Sequence, residues 1–441
     1  MYSILIKPIR GYSFLLISLI VSVFVFQPQE SQAQNADNFG FYGYLRSGFG
    51  VDGEGGPQDV FKAYNSEAKY RLGNEAEAYI ETLFRYTIED ENKAKFETNL
   101  RLAFVTPTSK SNDFVTTTSV REAYVEANGL FKNNKQLAFW AGQRFYDRYD
   151  AHLIDFWYRD MSGFGGGVED VKLGKAAKLS FAFLGGSIDE LSSNGNVQPE
   201  NQFSFNKTTL DMSIYDIEIG FGKIGFTFDW SNFTGDSIIS EIGSYSIESS
   251  KGWSIGLFHE LPFAGGRNRV NIFYGTGAAE NYKATIQQPM GMSIEAGVPV
   301  SIESMSRFRA LNDFQIDFNA KFSMMALVLY QKLDNGQEMN NQLDWLSVGF
   351  RPSYHFGRYF SLVGDIGFDY TSQSGLEDGS LLKMTIAPQI SPLNKILSRP
   401  AIRAYITYAF WTDSYIGKIA TYSFPNQNHG FSFGLQMEAW W

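Results

Sequence analysis

The sequence predicts an all-β chain closed into a transmembrane antiparallel β-barrel. Three observations predict it. The N-terminus reads as an export leader, and no later apolar run is long enough for a membrane helix. Residues alternate between apolar and polar over segments longer than ordinary globular strands. The connections between those segments are short and long in alternation.

The leader comes first. Lys7 and Arg10 precede the apolar run Phe14 to Phe26, and the small-residue site Ser31-Gln32-Ala33 follows. This order is that of a cleaved secretory signal over residues 1–33. The run is shorter than the roughly 20 apolar residues a membrane helix needs. Residues 34–441 then form one domain.

Removing the leader takes away two of the 37 basic and one of the 47 acidic residues, leaving a charge of about −11. That balance speaks against a nucleic-acid partner, because binding phosphate requires an excess of Lys and Arg. The chain has no Cys, so disulfides, thiolate metal sites and a Cys nucleophile are excluded. It is rich in Phe (39), Tyr (24) and Gly (42).

Periodicity supplies the elements. From Lys69 to Tyr86, Arg71, Glu75, Glu77, Tyr79, Glu81 and Arg85 fall on one parity, while Tyr70, Leu72, Ala76, Ile80, Phe84 and Tyr86 fall on the other. This predicts one long strand with an apolar and a polar face, where globular strands average about 5–6 residues. Phe96, Thr98, Leu100, Leu102 and Phe104 likewise oppose Lys95, Glu97, Asn99 and Arg101. Near the C-terminus, Ile402, Ala404, Ile406, Tyr408 and Phe410 oppose Arg403, Tyr405, Thr407 and Trp411. In the last segment Phe431, Phe433, Leu435, Met437, Ala439 and Trp441 oppose Ser432, Gln436, Glu438 and Trp440. Lipid on one side and water on the other requires this division. Short polar turns (89–93, 128–136) alternate with longer segments rich in Ser, Gly, Asn and Gln (185–207, 281–307, 412–430). A soluble two-sheet sandwich is the competing fold; it calls for shorter strands.

Some motifs carry no chemistry. Gly48 to Gly53 (GFGVDG) matches a dinucleotide fingerprint, but the EGGPQD that follows does not begin a helix. Gly163 to Val168 (GFGGGV) reads as a flexible entry into a strand. His152, His259, His355 and His429 lack paired ligand spacing, so no metal site and no cofactor are expected. Asp150, His152 and Asp155 form the one cluster that could serve a rim hydrolase.

That cluster lies in AGQRFYDRYDAHLIDFWYRD, Ala141 to Asp160, where alternation stops after Phe145 and charge density climbs. The segment predicts a loop folded into the barrel. Arg144, Arg148 and Arg159 would pair with Asp147, Asp150, Asp155 and Asp160, while Leu153, Ile154 and Phe156 pack on the wall.

Together with FYGYLRSGFG, GGPQDVFKAYNSEAKYRLGNEAEAYIE, VREAYVEANG, LSVGFRPSYHF, SRPAIRAYITYAFW and FGLQMEAWW, this run resembles the maltoporins, sugar-specific outer-membrane porins. The match is poor over about residues 185–340. The resemblance implies an 18-stranded homotrimeric barrel in the bacterial outer membrane, with an inward third loop. It also implies an aromatic lane for maltose and maltooligosaccharides. The lane would comprise Tyr44, Tyr79, Phe356 and Trp440, with Phe114 reaching into the neighbouring subunit's pore. Its polar tracks would be Arg46, Arg71, Glu81, Arg121, Arg148, Asp150, His152 and Asp155, and Trp157 would stand at the constriction. Parity agrees for Tyr44 with Arg46 and for Arg71, Tyr79 and Glu81. Trp440 and Trp441, being adjacent, must face opposite sides.

The chain departs from the family in places. Val60 and Ala76 stand where enteric members have a first-loop disulfide. Trp157 replaces a pore tyrosine, and Phe114 and Phe356 replace tryptophans. A lane phenylalanine falls near Val270, with Phe273 close by. Besides a maltooligosaccharide channel, a porin for another oligosaccharide, a general diffusion pore and a barrel hydrolase using Asp150 and His152 fit these residues.

Overall fold

A computed structural model describes residues 38–106, 117–188, 205–240, 243–263, 265–285, 299–337 and 341–441. The predicted leader and Phe114 lie outside them.

The barrel opens with β1 (Phe39–Asp52), β2 (Ala78–Glu89), β3 (Lys95–Thr106), β4 (Thr117–Asn128) and β5 (Ala138–Arg144). A hairpin, β6 (Arg148–Ala151) and β7 (Phe156–Asp160), then leaves the wall. The wall resumes with β8 (Gly163–Leu173), β9 (Ala177–Ile188), β10 (Phe205–Glu218) and β11 (Lys223–Thr234). Outside the wall, β12 (Asp236–Ser240) and β13 (Gly243–Ile247) pair with each other and with β16 (Pro299–Val300). Between β13 and β16 run the wall strands β14 (Ser250–Phe263) and β15 (Gly266–Thr276). The wall continues with β17 (Ser306–Asn319), β18 (Phe322–Asp334), β19 (Gln342–His355) and β20 (Phe360–Gln373). It ends with β21 (Gly379–Ile390), β22 (Ala401–Trp411) and β23 (His429–Trp440). Eighteen strands form one sheet, and β1 pairs with β23 to close it, Tyr44 opposite Trp440 and Arg46 opposite Glu438. Closure leaves no unpaired sheet edge, which a hydrocarbon environment would penalise. Among the described residues no helix is long and apolar enough to cross a membrane.

The predicted faces are visible along β22. Ile402, Ile406 and Phe410 are exposed on the outside, whereas Arg403, Tyr405, Thr407 and Trp411 are buried inside. In β23, Phe433 and Leu435 point out while Ser432, Gln436 and Glu438 are buried.

The strand predicted from Lys69 is shorter than its alternation. β2 starts at Ala78, and residues 57–77 fold back into the lumen as an irregular strap. Tyr70 is buried over Gly349 and Gly367, where any Cβ would strike its ring, and its hydroxyl meets Ser347 Oγ at 2.8 Å. Leu72 lies against Val363, Ala387 and Tyr405 instead of lipid. Alternation reports two faces but not what covers them, and a strap between two inner walls has two faces as well. Gly73, at φ +64, supplies the left-handed step that ends the extended run. Packing closes this loop without a disulfide. Phe61 stacks on Phe424, and Asn74 both accepts from the Phe61 amide (2.9 Å) and donates to its carbonyl (2.8 Å).

The third loop (145–162) lies inside the barrel. Leu153, Ile154, Phe156 and Tyr158 share a core with Leu311, Leu327, Leu329 and Trp345 on the inner wall, and with Tyr282 from the loop after β15. Of the expected ion pairs, Arg148 takes Asp160 (3.0 Å) and Arg159 takes Asp147 (2.6 Å). The rest go elsewhere. Arg144 turns to Glu169 and Glu126, Asp155 to Arg46, and Arg159 reaches Asp211 and Asp229 on β10 and β11.

Candidate functional site

Between the third loop, the first-loop strap and strands β1 to β4 and β23 lies a cavity of about 560 Å³. It gathers twelve of the predicted residues: Tyr44, Arg46, Arg71, Tyr79, Glu81, Arg121, Arg148, Asp150, His152, Asp155, Trp157 and Trp440. Arg101 and Phe145 line it too. Phe356 does not. His355 takes the last inward position of β19, bonding Ser323 and Ser361, so Phe356 falls in the following turn, exposed, with its ring on Tyr354. Nor does Phe273 replace the lane phenylalanine expected near Val270, for it is buried against Tyr158 and Tyr282.

The aromatic rings stand along one side. Tyr44 and Tyr79 lie 6.2 Å apart at 56°, and Arg46 sits over the Tyr79 ring at 5.0 Å. Trp440 carries Arg399 on its face at 4.5 Å and meets His152 edge-on at 6.1 Å. Opposite, the Arg148 guanidinium is held between Phe145 (4.1 Å) and Trp157 (3.5 Å). Such cation–π contacts, worth about 0.5–2 kcal/mol each, fix the rings' orientation.

The charges are tied together. Arg71, from the strap, donates to Tyr44 Oη (2.6 Å) and Glu75 (2.8 Å) and pairs with Glu438 (3.3 Å). Glu438 also receives Arg399 (2.5 Å) and Arg403 (3.3 Å). Arg46 bridges Glu77 (3.0 Å) and Asp155 (3.1 Å), linking the barrel wall to the third loop. Tyr79 donates to Glu81, which takes Arg101 at 3.3 Å and Arg121 at 4.0 Å.

His152 is neutral. Burial, then the neighbouring Arg71 charge, hold its imidazole well below the usual range. Arg71 stands 3.2 Å from Nδ1 and Arg399 3.5 Å from Nε2, so an arginine donor faces each ring nitrogen, with Glu438 Oε1 3.9 Å from Nε2. A hydrolytic dyad would need a carboxylate on Nδ1–H; an arginine occupies that place. Burial also raises the Asp150 carboxyl, offset in part by Arg269 across the lumen.

Arg101 has the inward parity of Lys95 and Asn99, so its place was readable from alternation. Phe145 had no such signal, because it stands where alternation ends.

A closed antiparallel barrel narrowed from within by its own loops, with a water-facing polar lining, is an outer-membrane porin. The chain belongs to the LamB porin family, whose model matches residues 39–441. Similar solved structures include the outer membrane channel DcaP of Acinetobacter baumannii (12% identity, 91% of this chain and 97% of that one, TM-score 0.46). Others are OccK3 (OpdO) of Pseudomonas aeruginosa (11%, 92% and 96%, 0.45) and Salmonella typhi OmpF in complex with daunomycin (9%, 91% and 97%, 0.46).

Proposed function

We propose that this porin passes maltose and maltooligosaccharides by passive diffusion, as a homotrimer. The observation that carries the reading is the single cavity in which Tyr44, Tyr79 and Trp440 stand beside Arg46, Arg71, Arg121, Arg148, Glu81, Asp150 and Asp155. A pyranose offers C–H faces to aromatic rings and hydroxyl edges to charged donors and acceptors. His152 adds a neutral imidazole, and Trp157 narrows the passage. Paired charges suit transport of a neutral solute, since each group keeps a partner when the sugar moves on and no position becomes a trap. Phe356 lies outside this cavity.

Ion current through planar bilayers tests the proposal with a chain-length series of maltooligosaccharides. Saturable block by maltotriose is expected. Block by a different oligosaccharide alone would reassign the substrate, and absence of block by any sugar would leave a general diffusion pore.

A further inference from the structure

Ala401 opens β22 opposite Glu438 of β23, and continuing that register puts residue 399 level with Trp440 at the end of β23. The connection that leads there, residues 391–400 between β21 and β22, does not stay on the rim. Its Ser391, Ile396 and Ser398 are buried. Ile396 shares one core with Leu153 and Ile154 of the third loop and Leu311 of the wall. The Ile396 amide donates to Asp317 Oδ1 (2.9 Å), and Asn394 Nδ2 donates to the Ala320 carbonyl (3.0 Å). Asp317 and Ala320 stand at the end of β17 and in the turn after it, with β18, β19 and β20 between them and β21. The connection therefore folds inward against the third loop, and it delivers Arg399 into the aromatic site.

The Arg399 side chain is 1% exposed. Nε donates to Glu438 Oε2 at 2.7 Å and Nη1 to the Ser398 carbonyl at 2.9 Å, while Nη2 lies 2.5 Å from Glu438 Oε2 and 3.5 Å from His152 Nε2. All three nitrogens are engaged within the protein, so the guanidinium is fixed in place and is not a free donor for a passing solute. Its carbon stands over one face of Trp440, 4.5 Å from the ring centroid, and His152 meets the indole edge-on at 6.1 Å. Trp440 still lines the cavity. A side chain at the last paired position of a strand has no residue beyond it to limit its rotamers. A buried, fully bonded cation against one face supplies that limit.

We infer that Arg399 is the positioning residue of Trp440: held from behind by Glu438 and by the inward connection, it covers one indole face and leaves the other as the stacking face for a pyranose. The inference rests on the sugar-porin reading above. Arg399 binds no sugar itself and acts through the ring it fixes. The third loop takes part, because Ile396 is seated against Leu153 and Ile154 and Arg399 reaches His152.

A double-mutant cycle on maltotriose block of the ion current, built from Arg399→Met and Trp440→Ala, tests it. Arg399→Met keeps much of the apolar stem and leaves Glu438 paired with Arg71 and Arg403. It should weaken block about 2- to 12-fold, the span of one aromatic contact. In the Trp440→Ala background it should add nothing. Block that Arg399→Met leaves unchanged, or weakens as much without Trp440 as with it, overturns the inference. Arg399→Lys keeps a cation for Glu438 but not the planar fork. It should weaken block in the same way and takes the place of Arg399→Met if that variant does not fold; wild-type block in Arg399→Lys overturns the inference. Fluorine NMR of the detergent-solubilised, fluorotryptophan-labelled barrel gives a readout that a merely structural role would not move. The Trp440 resonance, identified by its loss in Trp440→Phe, should be single in wild type and shifted or broadened by Arg399→Met or Arg399→Lys; an unmoved resonance overturns the inference. A wild type that maltotriose does not block marks the failure of the sugar-porin reading, and the resonance then decides the positioning by itself.

Discussion

Replacing Arg309 by Met should loosen the third loop without opening the barrel wall. Arg309 lies on β17 with its side chain fully buried. It donates to Gln331 Oε1 (2.7 Å), to the Tyr158 carbonyl of the third loop (2.6 Å) and to Glu67 of the first-loop strap (3.1 Å). Its guanidinium stacks between Phe156 (4.6 Å) and Tyr282 (5.0 Å). One side chain therefore holds three loops. Methionine keeps much of the apolar stem but none of the donors. Breaking a buried charge pair from one side costs about 3–5 kcal/mol. The lower end applies here, because Glu67 retains Arg307 and Gln331 as partners. With 1.4 kcal/mol per tenfold, about 3 kcal/mol raises the population of a detached third loop on the order of 100-fold. Single-channel recording reads this as brief, larger openings on a noisier baseline, while the folded barrel keeps its resistance to cold detergent. A folded Arg309→Met barrel with wild-type conductance and noise would refute the reasoning.

Trp440→Ala should weaken maltotriose block about 2- to 12-fold, from roughly 0.5–1.5 kcal/mol per aromatic contact; a current titration measures it, and an unchanged midpoint removes Trp440 from the lane. Trp157→Ala frees Arg148 from its 3.5 Å stack and should raise conductance, so an unaltered value would take the third loop out of the constriction. Because the folded His152 imidazole lies well below the ordinary value near 6.5, sugar block should stay flat from pH 8 to about 6. A step near pH 6.5 that His152→Asn abolishes would show an ordinary histidine. The same shift has a sign for stability. The unfolded imidazole binds the proton that the folded one refuses, so the His152 contribution is complete above pH 6.5 and declines as pH falls below it, which detergent unfolding at pH 7.5 and 5.5 would register.

The amino-acid sequence by itself determined the two faces of the wall. Alternation is a property of adjacent residues, so Ile402 against Arg403 and Trp440 against Trp441 could be assigned to opposite faces without any knowledge of the fold. Resemblance then selected twelve residues that meet around one cavity. Where alternation persisted off the wall it misled. Tyr70 and Leu72 keep the period of a strand but lie in a strap. Only the tertiary structure decided what holds the loops inside. Glu67 meets Arg309 across 242 positions, Arg71 meets His152 across 81, and Tyr149 meets Phe258 across the lumen. Such contacts depend on which buried charge finds which partner when the barrel closes, and no local period in the chain records that choice.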